Sequence, residues 1–231
     1  MVGCSERTKK VDSYLPSADL VNILAPAFRP CRHFADACLG TAQWAPSRGY
    51  VPRGFTGAFG DLEDIELVLV VSEPGDAYVT EHYEAGGAAD HVIEQVSAAA
   101  YRHLRAQRDL FHRNLRRILD WCWPGLPLYE QLRRTWLTES YLCSAPREGG
   151  SVPRDSWSVC ARDYLKPQVE LLADRAIVAC GAKAEQRLRE VGARFLRVGA
   201  VAPPGCNRSG VREGWQRIPG YIAECQPRSH A

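Results

Sequence analysis

One loop of this sequence combines a carboxylate, a rigid proline and a permissive glycine directly after an apolar run. The loop reads Ser72-Glu73-Pro74-Gly75-Asp76 and follows the run ELVLVV at 66–71. Proline fixes one backbone angle, and glycine allows a ligand to approach the main chain closely. Because functional residues often lie on loops, this segment is a candidate ligand site, with an ordinary strand-to-loop turn as the alternative.

Nine cysteines are a second source of possible chemistry. In a cytosolic chain, this number favours buried thiols, a metal site or a cluster over a disulfide framework. A single cysteine is by default a small buried hydrophobic residue, and Cys122, Cys180 and Cys206 are expected to be structural.

Arginines are concentrated in two segments, although the net charge of the chain is only +2. Residues 101–117 contain six arginines and one acid, and residues 208–217 contain three more arginines. Such clusters can follow a phosphate backbone, and the alternative is a solvated helix face.

The surrounding sequence predicts a parallel sheet that would position these residues. Apolar runs predict strands at 66–71, 136–143, 176–180 and 195–202, and helical periodicity predicts helices at 17–27, 88–121, 159–173 and 182–191. This alternation indicates an α/β three-layer sandwich with a central, mainly parallel four-stranded sheet flanked by helices. Ligands of such sheets bind beyond the carboxyl ends of the strands, which selects the loops at 72–83, 143–154 and 203–210 and the turn at Gly181.

Length and composition bound the class of protein. The 231 residues, 45% of them hydrophobic, predict one domain over residues 1–231, with residues 1–49 as an N-terminal extension packed on it. No run of 18 apolar residues exists, the N-terminus lacks an apolar signal segment, and Val2 stands where N-myristoylation requires glycine. We expect a cytoplasmic protein with no membrane partner, and we expect a monomer.

Four segments resemble signatures of the uracil-DNA glycosylase superfamily, in the same order along the chain. The loop at 72–76 resembles the first signature, in which a strand leads to Gly-Gln-Asp-Pro or Gly-Glu-Ala-Pro-Gly. Segment 50–61 (YVPRGFTGAFGD) is similar to the approach to that strand in the iron–sulfur branches, and 138–143 (TESYLC) is similar to their Thr-Asn-x-x-x-Cys motif. Segment 201–210 (VAPPGCNRSG) lies where the family carries His-Pro-Ser and a DNA-inserting loop.

The resemblance implies roles for the loop residues. Glu73 falls where the best-known branch has a water-activating Asp, which can also stabilise the oxocarbenium-like sugar as the base departs. Asp76 is a second catalytic candidate, with an exposed turn carboxylate as the alternative. A base flipped out of DNA would stack on Tyr83, or on Tyr78 as the runner-up, with plain packing as the alternative. The implied base-binding residues are Ser72, Gly75, Tyr78, Tyr83 and Glu139, and the implied DNA-binding residues are Pro204, Asn207, Arg208 and Ser209.

The iron–sulfur branches also imply a [4Fe–4S] cluster held by Cys31, Cys38, Cys143 and Cys160. The sixteen residues between Cys143 and Cys160 are close to the family's interval, whereas the six residues between Cys31 and Cys38 form a wider gap than the family usually has. The cluster would tie the N-terminal segment to the domain, and buried free thiols are the alternative. No nucleotide cofactor is expected.

Two positions depart from the family pattern. Pro203 or Pro204 stands where the family often carries a histidine that stabilises the departing base, so that stabilisation would come from backbone N–H groups, Asn207 or a better leaving group. Glu139 replaces the asparagine that reads uracil. An ionised Glu only accepts hydrogen bonds, which suits the N4 amino group of cytosine better than the O4 of uracil. The alternative is that Glu139 pairs with an arginine.

The sequence therefore predicts a monofunctional DNA glycosylase that leaves an abasic site. Its expected substrate is a modified cytosine, for example glucosylated hydroxymethylcytosine of phage DNA, because excision of normal cytosine would be lethal. The signature loops contain no lysine, which argues against a Schiff-base lyase step. The alternatives are uracil removal in base-excision repair, a catalytically silent DNA-binding module on the same scaffold, and an unrelated α/β protein.

Overall fold

The computed structural model describes residues 13–84, 86–147 and 150–226. Short 3₁₀ turns and one π-helical turn, Ala161–Leu165, connect its regular elements. These elements are, in chain order, α1 (Ala18–Leu24), β1 (Thr56–Gly57), β2 (Leu67–Val71), α2 (Ala89–Ala106), α3 (Leu110–Cys122), α4 (Leu128–Arg133), β3 (Thr135–Glu139), α5 (Arg154–Cys160), α6 (Lys166–Leu171), β4 (Ala176–Cys180), α7 (Ala182–Glu190), β5 (Leu196–Val198), α8 (Val211–Trp215) and α9 (Ile218–Cys225).

The strands form one sheet in the order β1-β3-β2-β4-β5. The four longer strands are parallel, as predicted, and β1 adds a fifth, antiparallel strand beside β3. The predicted α/β class is confirmed, and the predicted count of four strands is one too low. Strand β1 has only two residues, too few for a recognisable pattern. Gly57 has a φ of +98°, and a Cβ there would lie 2.0 Å from the carbonyl oxygen of Thr135, so only glycine fits this close approach.

Both faces of the sheet are buried, which gives the three layers. Alternate residues of a strand point to opposite faces, so Val68 and Val70 join one core while Leu67, Leu69 and Val71 join the other. Helices α1, α5, α6 and α7 cover the first core, α3, α4, α8 and α9 cover the second, and α2 contributes to both. None of the helices in the described part of the chain is both long and apolar enough to cross a membrane.

Some predicted boundaries differ from the observed ones. The helix expected at 88–121 is two helices, because Gln107 adopts a left-handed conformation (φ 50°) and Asp109 caps the second helix by accepting a hydrogen bond from the backbone N–H of His112 (2.9 Å). The third strand ends at Glu139 rather than at 143, and the last strand covers only Leu196–Val198. Glu139 is therefore the final residue of its strand, at the carboxyl edge of the sheet.

Candidate functional site

The loops after β2 and β3 are bonded to each other at the carboxyl edge of the sheet. Val71 lies opposite Glu139 in the parallel register, so both strands end at the same level. The backbone N–H of Tyr141 donates to the carbonyl oxygen of Ser72 (3.1 Å), and the hydroxyl of Ser140 donates to the same oxygen (2.8 Å). Glu73, two residues after β2, and Glu139, the last residue of β3, thus lie at the same edge of the sheet.

Both carboxylate oxygens of Glu73 face cations from α7. Lys183 Nζ bonds Oε1, and Arg187 Nη2 lies 2.8 Å from Oε2. The side chain of Glu73 is buried, and Lys183 also donates to the carbonyl oxygen of Gly150 (2.8 Å). The signature loops themselves contain no lysine, but Lys183 reaches the site from α7. Lys183 and Arg187 are one helical turn apart directly after Gly181, and this spacing is the sequence signal that could have identified them.

Arg187 connects the two strand ends. Its guanidinium donates to the carbonyl oxygen of Ser72 (2.6 Å) and to the hydroxyl of Ser140 (3.1 Å). The Arg187 side chain is 3% exposed. Its guanidinium carbon lies 5.8 Å from the ring centre of Trp157 and 6.0 Å from that of Tyr141. A buried arginine with this many contacts fixes the geometry of the loop that carries Glu73.

The side chain of Glu139 is buried and has no partner in the part of the chain that the structure describes. Its Oε2 makes no hydrogen bond with any described residue, and no ion pair of Glu139 is found among them. Burial raises the pKa of Glu139 well above its ordinary value, and Glu73 raises it further, while Arg187 and Arg53 oppose this only in part. This favours the protonated acid, in contrast to the ionised Glu139 expected from the sequence, and it does not support the alternative of a direct pair with arginine.

A glycine brings the main chain against Glu139. Gly54 has a φ of +85°, and a Cβ there would lie 2.4 Å from Cγ of Glu139. The neighbouring Arg53, a residue that sequence reasoning missed, donates to the carbonyl oxygen of Gly75 and to the hydroxyl of Ser144 (2.8 Å). The segment before β1 therefore supports both the base-binding candidate Gly75 and Glu139.

The two aromatic candidates have different surroundings. Tyr83 is buried, and its hydroxyl donates to Glu81 (2.8 Å). Burial and the Glu81 carboxylate raise the pKa of Tyr83. Tyr78 is 42% exposed, stacks on the ring of His103 at a centroid distance of 4.4 Å, and donates to Asp109 (2.9 Å). Burial, then Asp109, raises the pKa of Tyr78 to about 12. Tyr78 therefore offers the more accessible ring.

Asp76 is exposed and takes part in no ion pair within the described ranges. This matches the alternative of an exposed turn carboxylate better than a catalytic role. The structure instead groups Glu73 with Lys183 and Arg187.

The predicted DNA-contacting loop is exposed at the same edge of the sheet, because it follows β5, which is parallel to β4. Pro204, Asn207, Arg208 and Ser209 are all exposed. Residues 206–213 line an open surface depression of about 440 Å³. The loop is anchored at its ends, where Asn114 donates to the carbonyl oxygen of Val201 (2.9 Å) and Trp215 donates to that of Gly199 (2.9 Å).

The four cysteines of the predicted cluster line one cavity of about 20 Å³. Cys31 and Cys38 come from the N-terminal segment, Cys143 from the loop after β3, and Cys160 from the end of α5. Tyr164 contacts the sulfur of Cys31 (3.2 Å), and Tyr141 donates to that of Cys38 (3.6 Å). Burial raises the pKa of Cys38, Cys143 and Cys160, the last to about 12, as expected for neutral thiols.

Four cysteine sulfurs around one cavity are the ligand set that a [4Fe–4S] cluster requires. The 3₁₀ turn Arg32–Ala35 shortens the wide interval between Cys31 and Cys38. Within residues 13–84, 86–147 and 150–226, no group of three or more Cys, His, Asp or Glu side chains is already drawn together at metal-binding distances.

The comparison of this sequence with protein-family models finds no match, and the comparison with curated proteins finds none either.

Proposed function

We propose that this protein is a monofunctional DNA glycosylase, which hydrolyses the N-glycosidic bond of a flipped nucleotide and leaves an abasic site. The observation that carries the proposal is a pair of carboxyl groups in opposite environments. Glu73 forms ion pairs with two cations, although its Oε2 meets no hydrogen-bond geometry, whereas the carboxyl group of Glu139, on the adjacent strand, has neither an ion pair nor a hydrogen bond among the described residues. A buried acid without a partner next to a carboxylate that is paired with cations is typical of sites for acid–base and electrostatic catalysis.

Glu73 would stabilise the sugar cation that forms as the base departs. Because Lys183 and Arg187 engage both of its oxygens, uptake of a proton would weaken two ion pairs. The carboxylate therefore serves better as a fixed negative charge that orients water than as a strong base. The step breaks the bond between C1′ and the base, the water oxygen bonds to C1′, and the water proton leaves with the base or to solvent.

The proposed substrate is a modified cytosine in DNA, such as glucosylated hydroxymethylcytosine of phage DNA, with antiviral defence as the role. A protonated Glu139 can accept from the N4 amino group and donate to N3 of cytosine. The same acid can accept from N3–H and donate to O4 of uracil. Its protonated state is therefore equally compatible with uracil, which makes uracil removal in repair the second candidate function.

The exposed loop at 203–210 and the arginines of α2, of α3 and of the turn between these helices would bind the DNA backbone. Arg102, Arg105, Arg108 and Arg113 are exposed, as phosphate contacts require. Asn207 and Ser209 would contact the strand from which the base is flipped.

We further propose that Cys31, Cys38, Cys143 and Cys160 hold a [4Fe–4S] cluster. Its contribution would be to join the N-terminal segment to α5 and to the loop after β3, since all three line the same cavity. Glu73, Lys183 and Arg187 perform the chemistry proposed above without it.

Base release tests the proposed activity. Duplex and single-stranded DNAs that contain uracil, hydroxymethylcytosine, its glucosylated form or cytosine are incubated with the protein, and freed bases are identified by mass spectrometry. We expect wild type to release the modified cytosine and Glu73→Gln to lose at least about a hundredfold in rate, as for removal of one strong electrostatic group. Glu63→Gln, which changes an exposed carboxylate, is the matched control.

Equal or greater release of uracil would contradict the cytosine assignment and leave uracil removal as the function. No release from any of these DNAs would leave only the silent DNA-binding module. The cluster is tested separately by iron content and visible absorbance. We expect both to be lost in Cys160→Ser and retained in Cys206→Ser, and a colourless, iron-free wild type purified without air would contradict the cluster.

A further inference from the structure

Glu139 has a hydrogen-bonding atom that nothing in the described protein uses. The residue is 3% exposed, and Oε2 is without a partner. Most buried polar atoms in folded proteins are hydrogen-bonded, so an unpaired one calls for a ligand or another explanation. Its place at the end of β3, beside the end of β2, is where ligands bind in open parallel sheets.

Charged and titratable groups approach Glu139 from each neighbouring element. They are Glu73 after β2, Arg187 on α7, Arg53 before β1 and Cys180 at the end of β4. The guanidinium of Arg187 is bonded to other acceptors and paired with Glu73, and that of Arg53 is bonded to two oxygens of other residues. Neither cation is paired with Glu139, so burial dominates and raises its pKa.

We propose that Glu139 works as an uncharged carboxylic acid that offers one hydrogen-bond donor and one acceptor to the edge of the bound base. This inference rests on the proposed glycosylase function and extends it to how the base is recognised. A neutral acid presents one donor and one acceptor to a base edge, as one face of a side-chain amide does, so Glu139 could replace an amide at this position.

The proton can reside on either oxygen, and this has a consequence for specificity. With one arrangement, Glu139 complements the N4 amino group and N3 of cytosine, and with the other it complements N3–H and O4 of uracil. The edge contact therefore admits both pyrimidines. Discrimination between them must come from the space around the ring, including room for a substituent at C5.

A pair of substitutions at Glu139 tests the inference by base release. Glu139→Gln keeps one donor and one acceptor without a charge, and Glu139→Leu removes both at similar size. We expect the Gln variant to retain most of the activity and the Leu variant to lose about 5- to 150-fold, the range for one bidentate base contact. The activity of wild type should decline at high pH as Glu139 ionises, and the Gln variant should not show that decline.

The protonation state is measured independently of activity by the infrared carbonyl band of a protonated carboxyl group, assigned by its absence from Glu139→Gln. A band at neutral pH is expected, and its absence would overturn the inference. So would an active wild type whose Gln and Leu variants are equally impaired, or both unimpaired. If wild type releases no base, the proposed function fails instead, and the infrared band alone then decides whether Glu139 is an uncharged acid.

Discussion

Arg187 contacts both loops of the candidate site, and Arg187→Met should show how much these contacts contribute to the free energy of unfolding. Methionine preserves much of the side-chain length and its packing against Trp157 and Tyr141 but removes the charge and all donors. The change takes from Glu73 the buried partner at 2.8 Å and leaves only Lys183, whose side chain is 41% exposed. It also removes the donors to Ser72 and Ser140.

The expected cost follows from the burial of the pair. Removing one partner of a buried ion pair typically costs about 3–5 kcal/mol, because the other charge remains in a poorly solvated place. Lys183 compensates part of that charge, whereas two lost hydrogen bonds add about 1 kcal/mol each. We therefore expect a loss of about 3–5 kcal/mol in the free energy of unfolding. About 1–3 kcal/mol of this cost should depend on the charge of Glu73.

Urea unfolding followed by circular dichroism measures this loss in the free energy of unfolding. An unchanged m-value would show that the variant exposes the same surface on unfolding as wild type does. The double variant Glu73→Gln/Arg187→Met should lose about 1–3 kcal/mol less than the sum of the two single variants. Arg189→Met, on the same helix with a 71% exposed side chain, should cost less than about 1 kcal/mol. A loss below about 1 kcal/mol in Arg187→Met, or strict additivity, would refute the role assigned to this ion pair.

Three further predictions concern protonation and the amine at the site. Because the pKa of Glu139 is raised, the folded protein keeps a proton that the unfolded chain releases above about pH 4.5. Above pH 4.5, the free energy of unfolding should therefore fall by up to about 1.4 kcal/mol per pH unit until Glu139 ionises in the folded protein. Glu139→Gln should lack this part of the pH dependence. Burial raises the pKa of Asp163, but hydrogen bonds from His33 and two arginines outweigh burial and lower this pKa to about 2. Roughly 2 kcal/mol in the free energy of unfolding should therefore be lost as the pH falls from about 4 to 2, and Asp163→Asn should not show that loss. Lys183 is bonded to Glu73 and to the carbonyl oxygen of Gly150, so we expect borohydride to trap no adduct with DNA that already contains abasic sites. An adduct that disappears in Lys183→Arg would contradict the monofunctional assignment.

The parts of the fold that were predictable from sequence are those with a strong local pattern. The runs in β2 and β4 are continuous and apolar because both faces of these strands are buried, and their predicted positions match within one residue. Strand β1 and helices α4, α8 and α9 were not predicted, because they are short or are defined by their packing partners. The break at Gln107 was missed because apolar periodicity continues across it.

The candidate site was predictable only where the strands themselves supply the residues. Glu73 and Glu139 could be identified because parallel strands end at one edge of a sheet. Lys183 and Arg187 come from a helix behind a third strand, and their approach to Glu73 depends on how α7 packs on the sheet. The protonation of Glu139 depends on burial, which a single sequence does not state.

The resemblance implies a histidine that stabilises the departing base, and this sequence lacks it. The charges at the site could replace that stabilisation. If Glu139 is uncharged, Glu73 contributes one negative charge while Lys183 and Arg187 contribute two positive ones, and the charge of Arg53 is balanced by Glu81 at 3.7 Å. The resulting excess of one positive charge lies beside the position proposed for the base. A departing base carries developing negative charge, and fixed charges in a buried site act on it more strongly than they would in water. Were Glu139 ionised, this excess would vanish and a second carboxylate would repel the leaving group. On the proposed function, the neutral state of Glu139 therefore both completes the hydrogen bonding of the base edge and leaves the positive charge that its departure requires.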